Sequence, residues 1–335
     1  MFAADLAPGL VTACAIAPAL LLLWLVVAAD SRPEPPRVVW ACVALGAVSV
    51  LPVAVLEFWL LHHLPLSADP LWAAGEKALL IAALPEEAAK IAIIAAIALK
   101  SRAFDEPMDG VVYGTAVGLG FAAVENFLYV RGNAHLAMVA GLRGVLSVPF
   151  HGALGAIAGA YIASARFGGA LGADKGYGWP RTRRFGLAFL IPVVLHWLFD
   201  WCVFSVGVLA KQAAAAPAAG ARGVIPLILL AWLVVGFGSI ALAVRLALRI
   251  AHRQRTALVT KRLPPMHWRA VWGRSLCALG LSAVGIALIV AGDATAKFTG
   301  LIAVGIAVAL SAHCAKYLNA AAQATHRPFA GADLR

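Results

Sequence analysis

The sequence predicts an all-α fold, a polytopic bundle of membrane-spanning helices with a catalytic core in its third to sixth spans. Three observations carry the fold class. The 335 residues are 62% hydrophobic and only 13% charged, about half the charged share of an ordinary soluble domain. Apolar stretches repeatedly reach the ~20 residues needed to cross a bilayer. The basic residues gather in short loops between those stretches, as they do on the cytoplasmic side of membrane proteins.

About nine spans are predicted, taken in order as 8–29, 38–61, 78–99, 110–130, 138–164, 185–209, 224–250, 274–291 and 298–318. The first is preceded by "MFAADLAPGL", which lacks the basic region of a signal peptide, and the apolar run is long for one, so it reads as a retained span. The second ends on Glu57, His62 and His63, which headgroup residence accounts for. The third carries Glu86, Glu87 and Lys90. The fourth carries Glu125 and Asn126, the fifth His151 (with Arg143 towards its outer end), and the sixth His196 and Asp200. The last three hold almost nothing comparable. Residues 1–250 form the expected membrane-embedded domain; 251–335 add a basic loop and two accessory helices.

The loops 165–184 and 251–273 are strongly basic and belong in the cytoplasm. Counting outward puts the N-terminus outside and the C-terminus inside, in a bacterial-type plasma membrane. The net charge of +11 does not point to nucleic acid, because no basic patch is interleaved with aromatic residues. The cysteines (Cys14, Cys42, Cys202, Cys277 and Cys314) are scattered through apolar segments without metal-ligand spacing. They read as small buried hydrophobes.

A charge at the bilayer centre costs about 2.5 to 3.5 kcal/mol on insertion scales, so each intramembrane ionisable residue needs a reason. At 1.5 Å of rise per residue, Glu86, Glu125, His151, His196 and Asp200 fall about 8 to 20 Å below the outer ends of their spans. Four consecutive helices thus place polar groups in one slab, which implies a shared cavity. Lys90 stands four residues from Glu86 and three from Glu87, so it can neutralise either carboxylate. His196 and Asp200 are four apart, which lets Asp200 accept an imidazole N–H and fix the tautomer. Gly110, Gly114, Gly118, Phe121 and Glu125 form one stripe, and His151, Gly155 and Gly159 another; small residues at this spacing let helix backbones approach. Pro85, Pro149 and Pro192 lie close before Glu86, His151 and His196, and the carbonyls they free favour a hydrated pocket.

The segments "EEAAK" (86–90), "FAAVEN" (121–126), His151 followed by Gly155, and "HWLFD" (196–200) together resemble the PrsW family of intramembrane proteases. The motif core covers 78–209. The resemblance implies cleavage of single-span or otherwise membrane-embedded protein substrates, such as anti-sigma-factor-like regulators, in regulated intramembrane proteolysis. It implies kinship with the CAAX-processing and bacteriocin-processing proteases, which usually show EExxxR rather than the EExxK present here. It assigns the catalytic roles to Glu86, Glu87, Glu125, His151 and His196, with Lys90, Asn126 and Asp200 supporting.

Peptide hydrolysis needs an activated water and a stabilised oxyanion. Glu86 reads as the base and Glu87 as its partner, with exchange of the two roles left open. The family is described as metalloproteases, yet the chain has no HExxH. Zinc on Glu125, His151 and His196 would form a His₂Glu site with water in the fourth position; a metal-free site would use the histidines to hold water and oxyanion. Two other readings use the same polar cavity. A proton-coupled transporter would show inverted repeats with broken helices in both halves, whereas here the polar spans are consecutive. A non-catalytic membrane scaffold would not need the full polar set.

Overall fold

The computed structural model describes residues 8–30, 32–131, 141–168, 181–215 and 219–258. Among these the chain is helical, with no strand. Helix α1 spans Pro8–Ala29 and α2 Pro36–His63. A short α3 (Pro70–Glu76) runs through π-helical turns at Lys77–Ala83 into α4 (Leu84–Lys100). Helix α5 is Pro107–Arg131. Further π turns at Arg143–Ser147 lead into α6 (Val148–Phe167). Helices α7 (Arg181–Ala215) and α8 (Ala219–Leu258) complete the described chain.

Five of these helical segments are long and apolar enough to cross a membrane: 36–63, 107–129, 143–167, 181–214 and 223–254. Nine were predicted. The predicted spans at 274–291 and 298–318 lie outside the described residues. The first is a helix of 22 residues, Pro8–Ala29, whose side chains before Ile16 lie outside the described residues. The third is divided by π turns and carries Glu86, Glu87 and Lys90, so its α-helical part is both short and charged.

Helix α6 is the central pillar. It is buried along nearly its whole length, while α2, α7 and α8 present Leu51, Val55, Phe58, Leu190, Leu227 and Val234 outward. An apolar exterior of this kind suits lipid tails rather than water.

The closest packing is between α5 and α6, and it depends on glycine. A Cβ at Gly110, Gly114 or Gly118 would collide with the backbone carbonyl of Gly159, Gly155 or His151, respectively. The two small-residue stripes therefore meet each other, backbone against backbone, with the helices antiparallel. The α2–α5 contact uses the same device, Gly46 against Val117 and Gly120 against Val43. This packing sets the fold's register, because the stripe that brings Gly118 onto His151 carries Phe121 and Glu125 one and two turns further along.

Both π segments end two residues before a proline, Pro85 and Pro149. Each proline lacks the N–H that would bond the carbonyl four residues earlier, and its ring would clash with that carbonyl. Widening the preceding turns to π geometry removes the clash and rotates the residues that follow. Glu86 and His151 are among the first residues after the two widened turns. Pro192, inside α7, is accommodated without a described π segment.

The start of α3 is capped by Asp69, whose side chain accepts the N–H groups of Leu71 and Trp72 at 2.9 and 3.0 Å. The indole N–H groups of Trp197 and Trp201 donate to the carbonyls of Gly75 and Leu71 at 3.0 and 3.2 Å. They tie α3 to α7 one turn beyond His196.

Candidate active site

Lys90 is fully buried and organises the site. An ammonium has three N–H donors and no acceptor. Lys90 Nζ meets three acceptors, Glu86 Oε2 at 3.0 Å, Glu87 Oε1 at 2.7 Å and His151 Nδ1 at 3.0 Å. Its charge also faces the Phe121 ring, 4.1 Å from the centroid. The two glutamates come from the same helix at the spacings read from sequence; His151 and Phe121 arrive through the α5–α6 glycine contact.

Since a charged lysine can only donate, the Nδ1 of His151 must accept. The neutral ring then carries its proton on Nε2, which lies 3.0 Å from Glu125 Oε2. Glu125 Oε1 pairs with Arg143 Nη2 at 2.9 Å, and Arg143 Nε donates to Asn126 Oδ1 at 3.1 Å. The Arg143 guanidinium lies over the Tyr129 ring, 4.0 Å from its centroid.

His196 completes the chain of contacts. Its Nδ1 lies 2.8 Å from Glu87 Oε1, and its Nε2 lies 3.4 Å from Asp200 Oδ2 and 3.9 Å from Glu86 Oε2. Glu87, not Asp200, is therefore the nearer acceptor. The reason is directional: on α7 the i, i+4 partner reaches Nε2, while Nδ1 points across the interface to α4. Phe150 stands edge-on to His196 and stacks on Phe199 at 4.1 Å between centroids, walling the site on one side.

All of the sequence-predicted residues thus belong to one connected network: Glu86, Glu87, Lys90, Glu125, Asn126, His151, His196 and Asp200. They do not face the same space. A cavity of ≈ 410 Å³ is lined by Glu86, Glu125 and Asp200, together with Phe121, Tyr129 and Phe204. The lining does not include Glu87, His151 or His196, which stand behind it. Glu57 and Lys77 also line the cavity, and sequence reasoning did not place them or Arg143 in the site. Glu57 resembled an interfacial residue, Lys77 lies at the predicted edge of its span, and Arg143 reaches Glu125 from a different helix, with no spacing to announce the pair.

Glu86, Glu87, His151 and His196 each offer a ligand atom, all within 4.8 Å of one another, and all four residues are buried. Two imidazoles and two carboxylates suit zinc in kind and number. Glu87 Oε2 is also buried without a hydrogen-bond partner. Glu125 stands outside this group, engaged with His151 and Arg143. The donor set fits a metal ion, although the Lys90 ammonium holds three of the same side chains.

The family model described as PrsW family intramembrane metalloprotease matches residues 34–237. The chain belongs to the PrsW family. It is 31% identical over 191 residues to a protein named Protease PrsW from Geobacillus kaustophilus, covering 57% of this chain and 78% of that protein. To the Protease PrsW of Bacillus subtilis it is 32% identical over 187 residues, covering 56% and 79% of the two chains. No solved structure matches it. The matched region ends within α8, and it contains every residue of the network just described.

Proposed function

We propose that the protein hydrolyses peptide bonds of membrane-embedded proteins, with Glu86 as the general base. The observation that carries this reading is the division of labour around the cavity. Glu86 lines it, whereas Glu87 is held by Lys90 and His196 behind it. A carboxylate open to the cavity can take a proton from water; one spent on two partners is better suited to orienting them.

Glu86 removes a proton from a water in the cavity as the water oxygen bonds to the scissile carbonyl carbon. That proton passes to the leaving nitrogen as the C–N bond breaks, giving a new carboxyl group and a new amine. Glu87 accepts the Nδ1–H of His196 and so turns its Nε2 towards Glu86 and Asp200. In its protonated form His196 points Nε2 at Asp200, which lines the cavity, and so orients that carboxylate. Lys90 keeps Glu87 charged and holds His151 in the tautomer that serves Glu125. If zinc binds, His151, His196 and Glu87 are the natural ligands, and the ion would supply Lewis-acid polarisation of the carbonyl. The cavity's apolar walls, Val50, Val53, Ile81 and Phe121, suit a substrate segment rich in apolar side chains, such as the span of an anti-sigma-factor-like regulator.

The test is reconstitution of the purified protein in liposomes with candidate single-span membrane proteins. Mass spectrometry then searches for new termini, and the Glu86→Gln variant serves as control. New termini with wild type alone support the proposal; new termini with both proteins, or with neither, contradict it. Metal content measured alongside decides the cofactor, because full cleavage by chelator-treated, metal-free protein rejects zinc.

A further inference from the structure

A second buried acidic group lies at the opposite end of α5. Asp30 and Glu34 come from the α1–α2 connection, Glu106 from the α4–α5 connection, and Asp109 from the first turn of α5. All four are buried, with Asp109 fully inaccessible. Sixteen residues separate Asp109 from Glu125, so about 24 Å of helix lies between this group and the active-site network.

The contacts account for only part of the acidic group. Asp109 Oδ2 accepts the backbone N–H groups of Asp105 and Glu106, both at 2.7 Å. Glu106 Oε2 pairs with Arg32 at 3.3 Å, and the Arg32 side chain is 54% exposed. The Tyr113 hydroxyl donates to Glu34. Asp109 Oδ1 and Glu106 Oε1, by contrast, are buried without a hydrogen bond of good geometry, although the Gln254 amide stands beside Glu106. A buried acceptor left unmet costs about 1 to 3 kcal/mol, and more when charged. Glu34 also lies against Asp109, and burial together with the neighbouring acids pushes the Glu34 carboxyl above its ordinary range.

We propose that Asp30, Glu106 and Asp109 form a binding site for a hard divalent cation, calcium or magnesium. Each offers a carboxylate oxygen, all within 4.8 Å of one another. Oxygens on opposite sides of one calcium ion are about 4.6 to 5.2 Å apart, twice its usual bond length. The all-oxygen donor set excludes the thiolate- and imidazole-seeking metals and separates this site from the histidine-bearing one. The two orphaned oxygens, Asp109 Oδ1 and Glu106 Oε1, are the ligands the protein has left open. A bound ion would join the α1–α2 connection to the start of α5 and fix the end of the helix whose other end carries Glu125.

The experiment uses full-length protein purified in detergent, stripped with chelator and titrated with CaCl₂ or MgCl₂ by calorimetry at constant ionic strength. One saturable equivalent per chain is expected, with a rise in the unfolding midpoint on saturation. Asp109→Asn and Glu106→Gln should each weaken binding at least tenfold. Arg32→Gln removes a competing cation from an exposed position and should tighten it severalfold, which keeps the proposal testable even if Asp109→Asn fails to fold. Glu86→Gln should bind as wild type does, so the result stands apart from the protease reading. Absence of saturable binding of either ion to wild type overturns the proposal and leaves a proton shared between Glu34 and Asp109 as the explanation. Binding that is unchanged in all three acidic-site variants (Asp109→Asn, Glu106→Gln, Arg32→Gln) overturns it equally.

Discussion

The molecule gathers two groups of four carboxyls and neutralises them differently. Glu86, Glu87, Glu125 and Asp200 are interleaved with Lys90, Arg143 and two histidines, all drawn from the bundle itself. Beside Asp30, Glu34, Glu106 and Asp109 stands Arg32, which pairs with Glu106 and is half in solvent. Both groups leave carboxylate oxygens buried without a hydrogen-bond partner, Glu87 Oε2 and Glu125 Oε2 in the first, Glu106 Oε1 and Asp109 Oδ1 in the second; what differs is that cations of the bundle stand against the first group. Burial of an ion is tolerable only when its partners are fixed and near. A site that moves protons needs its compensating charges permanently in place, whereas a site that joins helix ends can take its counter-charge from solution.

Removing the internal cation should do the most damage. Lys90→Met leaves Glu86, Glu87 and His151 without their common donor, and breaking a buried pair in this way typically costs about 3 to 5 kcal/mol. Chemical denaturation in detergent should show a loss of that order, with cleavage abolished. Arg143→Gln breaks the pair with Glu125 while the Lys90 contacts stand. As a positioning residue, Arg143 should affect rate more than fold, and a displacement of about 1 Å at Glu125 can cost ~10²-fold. The expected signature is a fall in kcat with little change in KM, partly rescued by Arg143→Lys.

The packing between the two regions sets the third expectation. Gly114→Ala drives a Cβ into the Gly155 carbonyl, and overpacking of this kind costs about 1 to 3 kcal/mol. Gly207→Ala in α7, where an added Cβ meets nothing within 4 Å, should be neutral or mildly stabilising in the same unfolding assay. The smallest effect belongs to Arg32→Gln. An ion pair with one partner half-exposed contributes at most about 1 kcal/mol, so thermal unfolding of the cation-free protein should hardly move.

The contrast also separates what was legible in the sequence from what was not. The active-site network was legible because its parts sit on regular helices. A spacing of three or four residues joins Lys90 to both glutamates, and a spacing of four joins the glycines of α5 into the stripe that finds α6. A proline ahead of Glu86 and of His151 marked the places where π turns form, although not their form. Contacts between helices carried no such signal: Arg143 with Glu125, Glu57 facing the cavity, and Glu87 against Nδ1 of His196. The acidic group at the start of α5 was invisible for a different reason. Asp30, Glu34 and Glu106 lie in connections, where an acidic residue ordinarily meets water, and only the closure of α1, α2 and α5 buries them. The third predicted span is not among the five long apolar segments of the described residues, because its charges and π turns shorten its regular part.

The account's central claim is that the two adjacent glutamates have different tasks, Glu86 the chemistry and Glu87 the support. Cleavage rate and unfolding free energy, measured side by side for Glu86→Gln and Glu87→Gln in the same reconstituted system, test it most directly. Glu86→Gln should lose several orders of magnitude in rate while stability stays within about 1 kcal/mol, because Glu87 and His151 still hold Lys90. Glu87→Gln should lose both rate and stability, the latter by about 3 kcal/mol, because Lys90 and His196 lose their shared carboxylate. Cleavage by Glu86→Gln at near wild-type rate would contradict the account.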